Sequence, residues 1–305
     1  MLKDNLDKRE HVMHFRNQSA LMLMLGTFWA QHSYAIDVNV GDYTALPKGT
    51  NVGVFYYQHS EMDGYYQNGQ KTDADSTSDI GIARLIHFTD IAGIRADPQI
   101  ILPFGSVRNT QIGGTHLNNA SGFADPIIAS SFWLINQPEQ GASGRYFALT
   151  PLITLPIGSY DKHDAVNLGE NRFKYDLQMA WVQPLYGKLG LEFYQDVIWY
   201  GDNDKAGDGH QTLSQDTSYQ TQINLRYDLN ATQRVALGYA VNYGGEQSLD
   251  GIRLDQDMEK QQVRFEFQQM LNAKTQLSTQ VISDTQAESG FKKDLGLNLR
   301  MLYIF

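Results

Sequence analysis

The feature that most constrains this chain is a two-residue period that returns strand after strand through its second half. In Phe173, Tyr175, Leu177, Met179 and Trp181 every odd residue is large and apolar, while Lys174, Asp176, Gln178 and Ala180 lie between them. Successive residues of an extended strand point to opposite faces, so such a segment has one apolar face and one wet face. The pattern recurs in Leu189, Leu191, Phe193, Val197 and Trp199 against Glu192, Tyr194 and Asp196. It continues in Tyr219, Ile223, Leu225, Tyr227 and Leu229 against Gln220, Gln222, Asn224, Arg226 and Asp228. Val235, Leu237, Tyr239, Val241 and Tyr243 follow, then Val263, Phe265 and Phe267 against Gln262, Arg264 and Glu266. Leu277 and Val281 are a weaker instance. In the last segment Leu295, Leu297, Leu299, Met301, Tyr303 and Phe305 oppose Asp294, Gly296, Asn298 and Arg300. Each strand has about nine to eleven residues, the length a tilted strand needs to cross a bilayer.

A soluble sandwich or lipocalin-like barrel would also alternate, with its apolar face turned inward. Here the polar face repeats charge on successive strands, and the apolar face is rich in aromatic residues, as the girdles of a membrane barrel are. The period therefore predicts an all-β fold, a transmembrane antiparallel up-and-down β-barrel. Its wet lumen would be lined by Lys174, Asp176, Gln178, Glu192, Tyr194, Asp196, Arg226, Arg264, Glu266, Asn298 and Arg300.

The first half is less regular. Candidate strands are 51–59, 79–89, 95–105, 123–135 and 145–157, which brings the total to twelve. Ile80, Ile82, Ile86 and Phe88 share a face with Arg84, so either that face points inward or the period slips through a bulge. Prolines at 98, 103, 126, 151 and 156 suggest bulges or strand ends. Long polar segments (59–78, 106–122, 158–171, 201–215, 244–260 and 284–290) alternate with short links such as "TDIAG", "QPLYGK" and "NATQ". Outer-membrane barrels connect their strands this way, with long external loops and tight periplasmic turns.

Composition narrows the function. The chain has 305 residues, no cysteine and a net charge of -10. The acidic balance argues against a nucleic-acid partner, because phosphate binding depends on basic patches. Without cysteine there is no disulfide framework, thiolate metal site or cysteine nucleophile. Arg16, the apolar run 20–30 and the small residues Ser33 and Ala35 read as a secretory signal peptide, residues 1–35, cleaved after Ala35, with Met1 or Met13 as its start. The barrel then occupies 36–305, with Ile36 to Gly49 as a short periplasmic segment entering the first strand.

Between the fifth and sixth strands lies "LPIGSYDKHDAVNLGEN". Its Pro156, Gly158, Tyr160, Asp161, Asn167, Gly169 and Asn171 resemble the motif of a bacterial envelope family, the meta-pathway of phenol degradation proteins. "GDYTALPKG" and "GFADP" add to the resemblance, which covers most of the mature chain. It implies an outer-membrane barrel that passes hydrophobic or aromatic small molecules, and it carries no site residue over to this chain. Read physically, the glycines permit unusual backbone angles, and the Asp and Asn side chains close turns on their own backbone. Such a loop is either a constriction folded into the barrel mouth or an ordered external loop.

Other motifs are weaker. "GDNDKAGDGHQ" fails as a calcium loop because its fifth position is Ala206 and its twelfth is Leu213, where a bidentate Glu is required. A cation at Asp161, His163 and Asp164 is compatible with the sequence but unspecific. No GxSxG, HExxH or phosphate loop occurs. Ser60 beside His59 invites a rim hydrolase, yet neighbouring strand residues point to opposite faces. The expected function is passive passage of small hydrophobic or aromatic compounds through a narrow lumen, with no cofactor and no metal. The expected partners are outer-membrane lipid and lipopolysaccharide, the small hydrophobic solute, and a barrel-assembly machinery reading Tyr303 and Phe305. The alternative is a structural or adhesive barrel whose lumen charges pair among themselves.

Overall fold

The computed structural model describes residues 37–207, 209–254 and 256–305. The expected signal peptide lies outside the described residues. Twelve long strands form the wall: β1 (Asn51–Gln67), β2 (Gln70–His87), β3 (Ile94–Ile112), β4 (Ile127–Gln137), β5 (Arg145–Thr154) and β6 (Lys174–Pro184), followed by β7 (Leu189–Tyr200), β8 (Ser218–Asp228), β9 (Gln233–Gly244), β10 (Met258–Met270), β11 (Thr275–Ala287) and β12 (Gly290–Ile304). Each pairs antiparallel with its sequence neighbours, and β12 closes on β1 from Val52 opposite Ile304 to Tyr66 opposite Gly290. The result is a closed barrel with no free edge in its wall and no helix among the described residues.

The alternation does what the sequence implies. Trp181, Leu237, Phe265, Leu299 and Met301 are exposed on the outer surface, while Gln222, Arg226, Arg264 and Glu266 are buried within. Aromatic residues collect at two heights: Tyr175, Trp199, Tyr219 and Tyr243 near the loop end, Trp181, Tyr227, Tyr303 and Phe305 near the turn end. Amphipathic rings sit where lipid meets water. Arg84 faces inward with Ile80 and Ile82, which settles the face that sequence left open.

Several segments read as loops are strand. β1 and β2 run on past the apolar band and meet in a two-residue turn at Asn68 and Gly69, both at positive φ. That is the hairpin turn whose twist matches the flanking strands. The 106–122 segment is largely strand as well, with Ala120–Phe123 pairing against β3. Residues 124–126 then leave the ladder before β4 resumes the pairing, and Pro126 stands in this break. From the 201–215 and 244–260 segments a separate four-stranded sheet forms at the loop end, Asn203–Ala206, Gln211–Gln215, Gln247–Leu249 and Ile252–Arg253.

The largest departure concerns the residues before β1. They do not lie outside the barrel: 37–46 turn up into the lumen and fill its turn-end half. Val38 and Tyr43 join Val54, Trp133, Tyr146, Val182 and Tyr194 in an apolar core, so the lower lumen is packed rather than wet.

Candidate functional site

The plug is held by side chains from around the whole ring. A chain entering a barrel alone brings backbone N–H groups that need acceptors. Glu266 Oε2 accepts from Val40 N–H at 3.2 Å, Glu192 Oε2 from Gly41 N–H at 3.0 Å, and Gln222 Oε1 from Val38 N–H at 3.3 Å. Gln268 Nε2 donates to the Val40 carbonyl at 2.7 Å, and Trp133 Nε1 to the Tyr43 carbonyl at 3.0 Å. The Tyr43 hydroxyl donates to Gln178 at 2.5 Å and lies 2.7 Å from Thr150 Oγ1, with its ring 5.6 Å from that of Tyr194.

Charge completes the seat. Arg300 Nη2 donates to Asp42 Oδ1 at 2.7 Å and Arg84 Nη1 to Asp42 Oδ2 at 3.2 Å, so one plug carboxylate is clasped from β12 and β2 together. Arg264 Nη2 meets Asp37 at 2.6 Å. Arg226, itself buried, pairs with Glu192 at 3.0 Å and with Asp228 at 3.0 Å. At the lip, Arg95 bonds the Leu46 carbonyl and, at 2.8 Å, Asp90. The Arg95 hydrogen bond holds the Asp90 carboxyl below the usual carboxylate range. Beside the plug a gap of about 20 Å³ remains, room for about one water.

From the other end the 156–171 loop folds down into the barrel. Asp125, in the break before β4, accepts from Gly158 N–H at 2.8 Å and from Glu170 N–H at 2.7 Å, pinning both ends of the loop to the wall. Gly158 is required there: an added Cβ would stand 2.6 Å from the Ala124 carbonyl carbon and 2.7 Å from Asp125 N. Asn167 accepts from Asp161 N–H at 2.8 Å and donates to the carbonyls of Asp161 and Asp164, closing the turn. Asn171 Nδ2 reaches Asn203 at 2.8 Å, and the Tyr160 hydroxyl reaches Lys205 O at 3.0 Å, which ties the loop to the four-stranded sheet. Burial pushes the Tyr160 hydroxyl up to about 12. Val166 and Leu168 pack on Val107 of β3, so the loop has an apolar underside.

Between loop and plug is a cavity of about 280 Å³. One wall is apolar, built from Ile80 and Ile82 of β2, Ile101 and Pro103 of β3, Ile127 of β4, and Leu168 of the loop. Facing it are Lys260, Gln262, Asp284, Phe291 and Lys293. Of the lumen residues expected from sequence, Lys174 lines this cavity. Gln178, Glu192, Tyr194, Arg264, Glu266 and Arg300 contact the plug instead, Arg226 backs Glu192, and Asn298 bonds Gln280 at 3.1 Å. All of them are buried, and the plug occupies the space beside most of them. Asp196 is fully buried beside Gln178, and Asp176 lies diagonally across the same strand pair. Asp294, which alternation put on the wet face, is exposed on the outside.

Sequence reasoning marked the segment before β1 but left open whether it plugs the pore, and it missed Lys260 and Lys293. Lys260 sits in step with Gln262 and Arg264, so its inward face was there to be read. Ser60 faces the cavity, while His59 bonds Asp79 at 2.8 Å on the opposite face. Asp161 Oδ1 accepts from His163 N–H at 2.9 Å, and no group of three His, Asp or Glu side chains among the described residues is arranged to hold a metal.

Residues 46–301 match the family model described as "Putative MetA-pathway of phenol degradation". Among solved structures, the COG4313 outer membrane channel from Pseudomonas putida F1 is 36% identical, with 88% of this chain and 100% of that chain covered and a TM-score of 0.83. The beta domain of the Bordetella autotransporter BrkA has 10% identity, 85% and 100% coverage and a TM-score of 0.53. The transport unit of AIDA-I from Escherichia coli has 8%, 92% and 97%, and 0.51. These last two show the fold alone. Among curated proteins none matches. The matched length, the identity and the shared twelve-stranded architecture place this chain in the MetA-pathway of phenol degradation family, as an outer-membrane channel homologue.

Proposed function

We propose that this barrel passes small hydrophobic or aromatic compounds across the outer membrane, down their gradient, by way of the cavity between loop and plug. The observation that carries the reading is the half-apolar chamber of about 280 Å³, walled by Ile80, Ile82, Ile101, Ile127 and Leu168. A water-filled diffusion pore for polar solutes has no use for such a wall, whereas an apolar ring buried against it gains roughly 25 cal/mol for each Å² removed from water. The volume sits just below the usual range for small-molecule sites, which suits a single ring with short substituents. Passage beyond the cavity requires the plug to move, because the gap beside it holds about one water. Flux of a neutral alkylbenzene into proteoliposomes, compared with protein-free vesicles, and its uptake by cells with and without the protein, test the reading. Equal rates in both comparisons exclude transport.

The seated plug favours a second reading, a barrel closed to solutes that serves as a structural or adhesive element, and the same null result would select it. Under either reading, lipid and lipopolysaccharide surround the outer face, and Tyr303 with Phe305 on β12 serves as the assembly signal. The yield of heat-modifiable barrel from chains altered at Phe305 measures that signal.

A further inference from the structure

The upper lumen holds an ammonium, Lys293, that makes no direct hydrogen bond or ion pair among the described residues, with the Asp37 and Asp284 carboxylates acting on it only through space. Strict alternation along β12 places Leu295, Leu297 and Leu299 outside and would send Lys293 after them. A bulge intervenes. Glu61 of β1 pairs with Leu295, and the next residue, Met62, pairs with Lys293, so Asp294 is one residue extra on β12. An extra residue reverses the facing of everything beyond it. Lys293 and Phe291 accordingly turn into the cavity. The lysine stem lies across Gly296, where an added Cβ would stand 2.8 Å from Lys293 Cδ.

Each carboxylate that lines the cavity already accepts from the protein. Asp37 is bonded by Arg264 at 2.6 Å, Asp125 by two backbone N–H groups, and Glu170 by Arg172 at 2.8 Å and Lys174 at 2.6 Å. Asp284 accepts from Gln262 at 2.6 Å and from the Lys293 backbone N–H at 2.8 Å. The cations are matched in the same way: Arg84 to Asp42, Lys174 to Glu170, Lys260 to the Phe291 carbonyl. Lys293 is the exception, since its ammonium has no hydrogen bond or ion pair among the described residues. It points into the chamber with Lys260 at the same end and the isoleucine wall opposite.

We propose that the cavity selects amphipathic organic anions, carboxylates whose apolar or aromatic body lies on Ile80, Ile82, Ile101 and Ile127 while the headgroup bonds Lys293, with Lys260 behind it. The proposal rests on the reading that small apolar solutes occupy this cavity, and it adds the headgroup. Water screens an ion pair poorly in a half-apolar chamber, so one charge-assisted bond there discriminates strongly between a carboxylate and its neutral isostere. A cationic amphiphile would meet like charge.

The test compares a para-alkyl benzoate with the matching benzamide, by calorimetric binding and by proteoliposome flux, on the full-length barrel. The unaltered protein should bind the benzoate more tightly. Lys293→Gln should weaken benzoate binding by about tenfold or more and leave the benzamide within about twofold, and Lys293→Arg should restore the preference. Folded barrel is confirmed for each variant by heat-modifiable migration. Equal binding of both solutes by the unaltered protein, or equal weakening of both by Lys293→Gln, overturns the anion proposal while leaving passage of apolar solutes intact. If the unaltered barrel binds neither, the cavity reading falls and the proposal falls with it.

Discussion

The two halves of the lumen are built on opposite plans. In the turn-end half the plug and the wall answer each other: carboxylates of the wall take the plug's N–H groups, and guanidiniums of the wall take the plug's carboxylates. In the loop-end half one wall is isoleucine, the other carries an ammonium with no partner among the described residues, and space remains between them. Satisfied polar networks rigidify, because breaking one leaves a buried group unpaired. Unsatisfied ones invite a ligand. Under the proposed function, the contrast separates a part of the lumen that excludes from a part that receives.

The largest effect should come from undoing the lower half. Asp42 is 5% exposed and held by two arginines, so Asp42→Asn leaves buried positive charge without its partner. Loss of one member of such a pair costs about 3 kcal/mol, roughly a hundredfold in the fraction of time the plug is unseated. Single-channel recording in planar bilayers should show a frequent high-conductance state in the variant. A trace identical to the unaltered protein would mean that the clasp does not hold the floor.

The upper half can be opened by Gly158→Val, whose side chain would collide with the backbone of Ala124 and Asp125. Overpacking of this kind costs about 1–3 kcal/mol, enough to lift the loop. Because the chain has no cysteine, Leu168→Cys provides a clean reporter. Its labelling by an externally added thiol reagent should rise by about tenfold when Gly158→Val is added, with conductance nearly unchanged because the plug stays seated. Rising conductance without faster labelling would reverse the assignment of roles.

Phe305→Ser serves as the control. Phe305 faces outward, stacked on Tyr303 with centroids 6.2 Å apart, and touches neither half of the lumen. The variant should lower the yield of heat-modifiable barrel by a few-fold and leave plug, loop and cavity as they are. A change in conductance per assembled barrel would show that the wall and the lumen are not independent.

How much of this could be read from the sequence follows from where each interaction partner lies. Every strand of the wall presents a face to the apolar band, so Phe173 to Trp181 or Leu295 to Phe305 announce their facing by composition alone. The plug has no such uniform partner. "DVNVGDYTALPKG" reads as a polar linker because its acceptors, Glu192 and Glu266, stand 151 and 226 residues away and nothing local distinguishes a buried turn from a solvated one. The loop motif was visible as a set of residues, but its downward fold depends on Asp125 of "GFADP", and nothing local ties that aspartate to Gly158 and Glu170. The bulge at Asp294 is less visible still. A single extra residue on β12, answered by one on β1 between Met62 and Tyr65, changes which lysine faces the cavity, and the period on either side of it remains intact.

The plug also has a consequence for the order of assembly. Its contacts come from β2, β4, β5, β6, β7, β8, β10 and β12, which are adjacent around the lumen only after β12 has closed on β1. Any partial barrel offers it a fraction of those contacts and leaves several of its peptide groups competing with water. The stretch that precedes the first strand therefore gains its full set of contacts only from a closed ring, although it comes before every strand of that ring in the chain.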